Sequence, residues 1–204
     1  MRIGLFGGTF DPVHLGHLIL AEICREEARL DEVWFLLSYA PPHKTEQPIT
    51  RFEQRAEMLA LATVGQPAFR VELIEADLPP PSYTAETLAV LRAKHPDDEF
   101  HLIVGGDVPS DLPKWYQPQR VVEQAGLVVV PRPGTPNWTA AELAAALALP
   151  EAAIRMQIVV SPLIDIASRD IRRRVAQRRT IRFLVPRSVE EYIREKKLYR
   201  PANW

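Results

Sequence analysis

The sequence predicts an α/β fold, a doubly wound parallel sheet with helices on both faces. Three observations carry this. Short apolar runs alternate with helix-like segments along the chain. The runs are continuous rather than polar at every second residue, as strands covered on both faces require. Distinctive Gly, Ser and Asp residues follow several of the runs, where ligands bind in such sheets.

In chain order, residues 3–6 read as a short buried strand. Residues 16–29 read as a helix, with Leu20, Ile23, Cys24 and Ala28 on one face. Residues 33–37 form a second apolar run. A loop over 38–50 contains Pro41, Pro42 and Pro48, which a helix interior excludes. Residues 51–64 carry Phe52, Met58, Leu59 and Ala62 at helical spacing, and 69–73 read as a strand ended by Pro79-Pro80-Pro81. A helix over 84–94 leads to a strand over 100–104, closed by Gly105-Gly106-Asp107. Strands over 127–130 and 158–160 flank an Ala/Leu-rich helix over 139–149, and helices over 168–178 and 188–196 close the chain.

With 204 residues and no repeat or low-complexity linker, one domain over 1–204 is expected. The 25 Lys and Arg nearly balance 26 Asp and Glu, giving a net charge of −1. That argues against a dedicated nucleic-acid binder. A single cysteine, Cys24, allows no disulfide framework and no cysteine-rich zinc site, and its pattern reads as a small buried hydrophobe. No signal-peptide pattern and no membrane-length apolar run are present, so a soluble cytoplasmic protein is expected.

The chain has neither a P-loop nor a G-x-G-x-x-G fingerprint. The first strand leads instead into Gly7-Gly8-Thr9-Phe10-Asp11-Pro12-Val13-His14-Leu15-Gly16-His17. Adjacent glycines admit close approach of backbone to a ligand. The helix entrance at Gly16 offers free N–H groups and a dipole that favours anions. His14 and His17, three residues apart, can face one phosphate, as N–H donors or as cations that offset transition-state charge. A Gly-Gly pair alone is usually a turn, and two such histidines alone can cap a helix. Their union after the first strand is far rarer.

Residues 7–17 resemble the signature of the HxGH nucleotidylyltransferase superfamily, and within it the bacterial nicotinate-nucleotide adenylyltransferases. Further matches are Pro41-Pro42-His43-Lys44, Arg51 to Met58, Ser82-Tyr83-Thr84 with Thr87-Leu88, Gly106-Asp107 with Trp115, and Phe183-Leu184-Val185-Pro186 through Tyr192-Ile193 to Leu198-Tyr199. The resemblance implies a Rossmann-like nucleotidylyltransferase fold. It implies transfer of AMP from ATP, with Mg²⁺, to nicotinate mononucleotide, giving nicotinate adenine dinucleotide (deamido-NAD) and pyrophosphate.

By the same resemblance, His14 and His17 are catalytic and hold the ATP phosphates beside Gly8, Thr9 and Phe10. Gly106 and Asp107 meet the adenosine ribose, and Ser168 and Arg172 the phosphates. Lys44, Tyr83, Thr84 and Trp115 bind the acceptor, with Trp115 on the pyridine ring and the start of the 84–94 helix on the carboxylate. No protein cage for the metal is implied. ATP and nicotinate mononucleotide are the implied partners, with no nucleic acid or membrane, and a homo-oligomer is left open. One departure stands out. The family's second signature, Ile-Ser-Ser-Thr-x-Ile-Arg, here reads Ile166-Ala167-Ser168-Arg169-Asp170-Ile171-Arg172, two hydroxyls short. Alternatives are an adenylyltransferase for nicotinamide mononucleotide or phosphopantetheine, and a non-catalytic nucleotide-binding module. A relative of class I aminoacyl-tRNA synthetases ranks last, since the chain is short and lacks Lys-Met-Ser-Lys-Ser.

Overall fold

A computed structural model describes residues 1–39 and 49–201. Six parallel strands form one sheet: β1 (Arg2–Gly8), β2 (Glu32–Leu37), β3 (Phe69–Glu72), β4 (Glu99–Gly105), β5 (Ala125–Val130) and β6 (Met156–Ile158), in the order β3-β2-β1-β4-β5-β6. This is the strand order of doubly wound dinucleotide-binding sheets. The strand order reverses between β1 and β4, and in such sheets ligands bind at the carboxyl ends beside that point.

Side chains of each strand alternate between two cores. Val33, Phe35 and Leu37 of β2 join one, with Ala21 and Cys24 of α1 (Leu15–Glu27), Met58 and Leu59 of α2 (Phe52–Thr63), Ile171 of α7 (Ser168–Ala176) and Val189 of α8 (Arg187–Glu195). Trp34 and Leu36 join the other, with Leu88 of α3 (Thr84–Lys94), Val121 of α5 (Pro118–Gln124) and Leu143 of α6 (Ala140–Leu147). Both faces are covered, which is why the strands read as unbroken apolar runs. Cys24 is fully buried, and burial pushes its thiol pKa up to about 12. Among the described residues no helix is long and apolar enough to cross a membrane.

Two features differ from the sequence expectation. The last strand lies at Met156–Ile158, paired with Leu127 to Val129, rather than over 158–160. It is a three-residue edge strand, and Val160 is 81% exposed, so the local apolar run does not mark the paired segment. Between β4 and β5 the chain forms α4 (Val108–Asp111) and α5, which the three prolines in residues 109–118 conceal. Those prolines sit in first turns, where a missing N–H costs nothing.

Candidate active site

Where β1 ends, the chain turns through residues 9–14 into α1. Phe10 adopts φ +46°, a left-handed conformation that strains a bulky residue. Its buried ring is fixed edge-on against Phe6, Phe35 and His17, at 5.7, 5.6 and 5.0 Å between centroids. A Cβ at Gly8 would lie 2.8 Å from that ring, so the space left by the second glycine is filled by Phe10, while the space at Gly7 is open. The Asp11–Pro12 peptide is cis.

His14 is buried at the N-cap of α1, and His17 lies three residues on. Their imidazoles stack at 3.6 Å and 20°. The His14 backbone N–H donates to His17 Nδ1 at 3.2 Å. That bond fixes the neutral tautomer, leaving Nε2–H of His17 as the donor for a ligand. A Cβ at Gly16 would meet His14 Nδ1 at 3.1 Å and Ile164 Cγ2 at 3.4 Å, so the glycine between the histidines makes room for the first. Burial lowers the His14 pKa to about 4. Burial, then His14, then Arg132 hold His17 well below its usual value. Of the two ways a histidine can meet a phosphate, neutral N–H donation is therefore the one in force at rest near pH 7.

A buried polar network holds this turn. Arg55, 2% exposed on α2, donates through Nη1 to the carbonyls of Thr9 and Ser38, both at 2.9 Å, and through Nε to that of Thr50 at 2.9 Å. The buried Asp11 carboxylate accepts from the Tyr199 hydroxyl at 2.7 Å and from the Thr50 N–H at 3.2 Å. Ser168 Oγ donates to the Pro12 carbonyl at 2.8 Å, and Arg172 Nη1 to the Asp11 carbonyl at 2.6 Å. The two polar residues that survive from the altered second signature thus both grip the backbone of the first. No side chain caps α7, whose N-cap is Ala167.

Gly106 and Asp107 lie just past β4, and Arg132 just past β5. Arg132 Nη1 stands 3.5 Å from the Asp107 carboxylate, and its charge also reaches His17. Sequence reasoning passed over Arg132, Arg55 and any role for Asp11 and Tyr199. The strand-end rule alone would have found Arg132.

Tyr83 is the N-cap of α3 and Thr84 its first residue, and no side chain caps this helix. None of the three hydroxyls of the Ser-Tyr-Thr motif closes its first turn. The Tyr83 ring stacks on Tyr116 at 4.5 Å and 28°, both exposed, while Trp115 packs half-buried against the core that contains Leu88 and Val121. Lys44 lies outside the described residues. Among those described, no group of three or more His, Cys, Asp and Glu is placed to hold a metal ion. An open cavity of about 610 Å³ between α7 and α8, lined by Val175, Arg178, Arg179 and Ile193, contains none of these residues. The strand ends, not that cavity, gather the chemistry.

A model of the family described as cytidylyltransferase-like matches residues 5–185. A protein of Thermomicrobium roseum is 46% identical over 99% of this chain and 93% of its own length. One of Thermus thermophilus is 43% identical over 98% of this chain and all of its own. Both are named as probable nicotinate-nucleotide adenylyltransferases. The solved structure of Plasmodium falciparum nicotinic acid mononucleotide adenylyltransferase complexed with NaAD superposes with a TM-score of 0.75 over 97% of both chains, at 18% identity, a likeness of fold.

Proposed function

The chain belongs to the cytidylyltransferase-like family and, through relatives up to 46% identical over nearly its whole length, to its nicotinate-nucleotide adenylyltransferases, and on that premise we propose that it joins the AMP of ATP to nicotinate mononucleotide, releasing pyrophosphate. The observation that carries this reading is the stacked, neutral His14–His17 pair at the start of α1, at the switch point between β1 and β4. An acceptor phosphate oxygen attacks the α-phosphorus of ATP. A new P–O bond forms, the bond from that phosphorus to the β-phosphate bridging oxygen breaks, and pyrophosphate leaves with the electron pair. A phosphate monoester is already nucleophilic near neutral pH, so no general base is needed. Positioning and charge neutralisation do the rest.

In this reading His17 donates Nε2–H to the phosphates, with His14 stacked behind it. Gly8, Thr9 and Phe10 line the phosphate crevice with backbone groups. An approaching polyanion raises both imidazole pKa values, so charge is supplied as the ligand brings its own. Arg132 adds a fixed cation, and Gly106 and Asp107 meet the ribose. Ser168 and Arg172 act through the turn they hold, and Arg172 keeps further N–H donors for a phosphate. The uncapped first turn of α3, with Thr84, takes the nicotinate carboxylate, and Tyr83 and Trp115 flank the pyridine ring. Lys44 remains assigned by sequence alone.

ATP is taken as its magnesium complex, whose ion phosphate oxygens and water would hold. We further place the enzyme in the cytoplasm as one nucleotidylyltransferase unit. The test is pyrophosphate release from ATP and Mg²⁺ with a panel of acceptors: nicotinate mononucleotide, nicotinamide mononucleotide and phosphopantetheine. Nicotinate mononucleotide is expected to give the highest kcat/KM. Preference for another acceptor, or binding of ATP without turnover, would overturn the reading.

A further inference from the structure

Asp11 is the one carboxylate of the first motif, it is 5% exposed, and it cannot face solvent or a ligand freely. Its surroundings explain what it does. Each part of the residue is held by a different segment of the chain. The carboxylate accepts the Tyr199 hydroxyl from the C-terminal tail and the Thr50 N–H from just before α2. The carbonyl accepts Arg172 of α7. On one side in sequence lies Phe10, strained at φ +46° with its ring against His17, and three residues on lies His14 at the N-cap of α1. A change in the Asp11 orientation therefore moves both ends of the turn that sets the histidine pair.

Tyr199 lies four residues past the end of α8 and adopts φ +61°, so the tail takes an unfavourable backbone conformation to bring this ring inward. The ring packs beside Met58, and a phenylalanine would keep that packing. Only the hydroxyl needs Asp11. Burial and the adjacent carboxylate push the phenol pKa far up, so it stays a donor at any working pH.

We propose that Tyr199 is a positioning residue for adenylyl transfer, acting through the Asp11 carboxylate on the turn that holds His14 and His17. Losing the hydroxyl leaves a buried carboxylate one donor short, and it reorients toward whatever donor remains. The inference rests on the adenylyltransferase reading, and its test is built to fail separately from it.

Wild type, Tyr199→Phe and Asp11→Asn are compared by steady-state pyrophosphate release, thermal melting and NMR of the histidine ring signals. Tyr199→Phe is expected to lower kcat about tenfold with KM for ATP and acceptor changed by about twofold or less, the signature of lost alignment rather than lost binding. The His14 and His17 ring signals shift in both variants, with the native melting transition kept. Turnover near wild type, or a fall in turnover with unmoved ring signals, would overturn the proposal. So would collapse of the fold in both variants, since the hydroxyl would then serve the fold and not the turn. If wild type itself turns over no acceptor, the functional reading fails, and the ring signals alone decide the positioning role.

Discussion

The imidazoles of His14 and His17 lie face to face, 3.6 Å apart and 20° from parallel, with the backbone N–H of the first donating to Nδ1 of the second. One histidine thus fixes the tautomer of the other. The pair presents a single aligned donor at a helix start, which is what a developing negative charge on phosphate oxygens calls for.

Removing that donor tests its weight. His17→Ala is expected to lower kcat by about 10² to 10³, the usual loss for one preorganised donor on a developing oxyanion. The ring packs on Phe6, Phe10 and His14, so a modest fall in melting temperature is expected beside the much larger kinetic loss. Steady-state kinetics beside a melting curve separates the two. A kcat near wild type removes His17 from the mechanism.

Acid should weaken the fold through the same pair. His14 has its folded pKa at about 4, below the usual 6.5, so the unfolded chain binds a proton between those values and the folded chain does not. Stability is therefore full above pH 6.5 and falls as pH drops toward 4. At pH 5.5 the His14 share of that loss is on the order of 1 kcal/mol. Melting from pH 8 to 5 should show a steeper decline for wild type than for His14→Gln. Parallel curves would contradict the burial argument.

Much of this was legible in the sequence, and the gaps have physical causes. Two-sided burial makes the strands conspicuous, and the Gly-Gly and His-x-Gly-His runs mark the switch point. The edge strand β6 misled because Ile158 and Val160 are apolar yet exposed. Short α4 and α5 hid behind the prolines of residues 109–118. Among the polar residues, Arg55 left a trace as a charge on the apolar face shared with Phe52 and Leu59, a hint that it is buried and paired. Asp11 and Tyr199 stand in matched motifs, but their contact left no trace, since 188 residues separate them and no periodicity records it. The second signature lacks two hydroxyls, at Ala167 and Arg169, but Ser168 and Arg172 hold the first motif's backbone without them.

Gly16 offers a sharper test of geometry. Alanine there gains helix propensity, about 1 kcal/mol in favour of the fold. The same methyl presses on His14 Nδ1 and Ile164 Cγ2, at 3.1 and 3.4 Å. Gly16→Ala is expected to keep its melting temperature within a few degrees while kcat falls at least about tenfold. Unchanged turnover would show that the pair tolerates displacement.

The last prediction concerns how an acid is told from an amide. The first turn of α3 has no side-chain cap, and Tyr83 before it is extended at φ −89°, ψ 133°. A proline is compatible with that preceding conformation and with the first helical position, so Thr84→Pro deletes one N–H without breaking the helix. Thr84→Ala deletes the hydroxyl and the γ-methyl but keeps the N–H. A hydrogen bond to a charged group contributes about 1.5–3 kcal/mol, so Thr84→Pro should lower kcat/KM for nicotinate mononucleotide at least about tenfold. The amide substrate, carrying no charge to satisfy there, should lose less, and the acid-over-amide ratio should narrow. If the backbone carries the recognition, Thr84→Ala narrows it only slightly. An equal loss for both substrates in Thr84→Pro would move the carboxylate site away from α3.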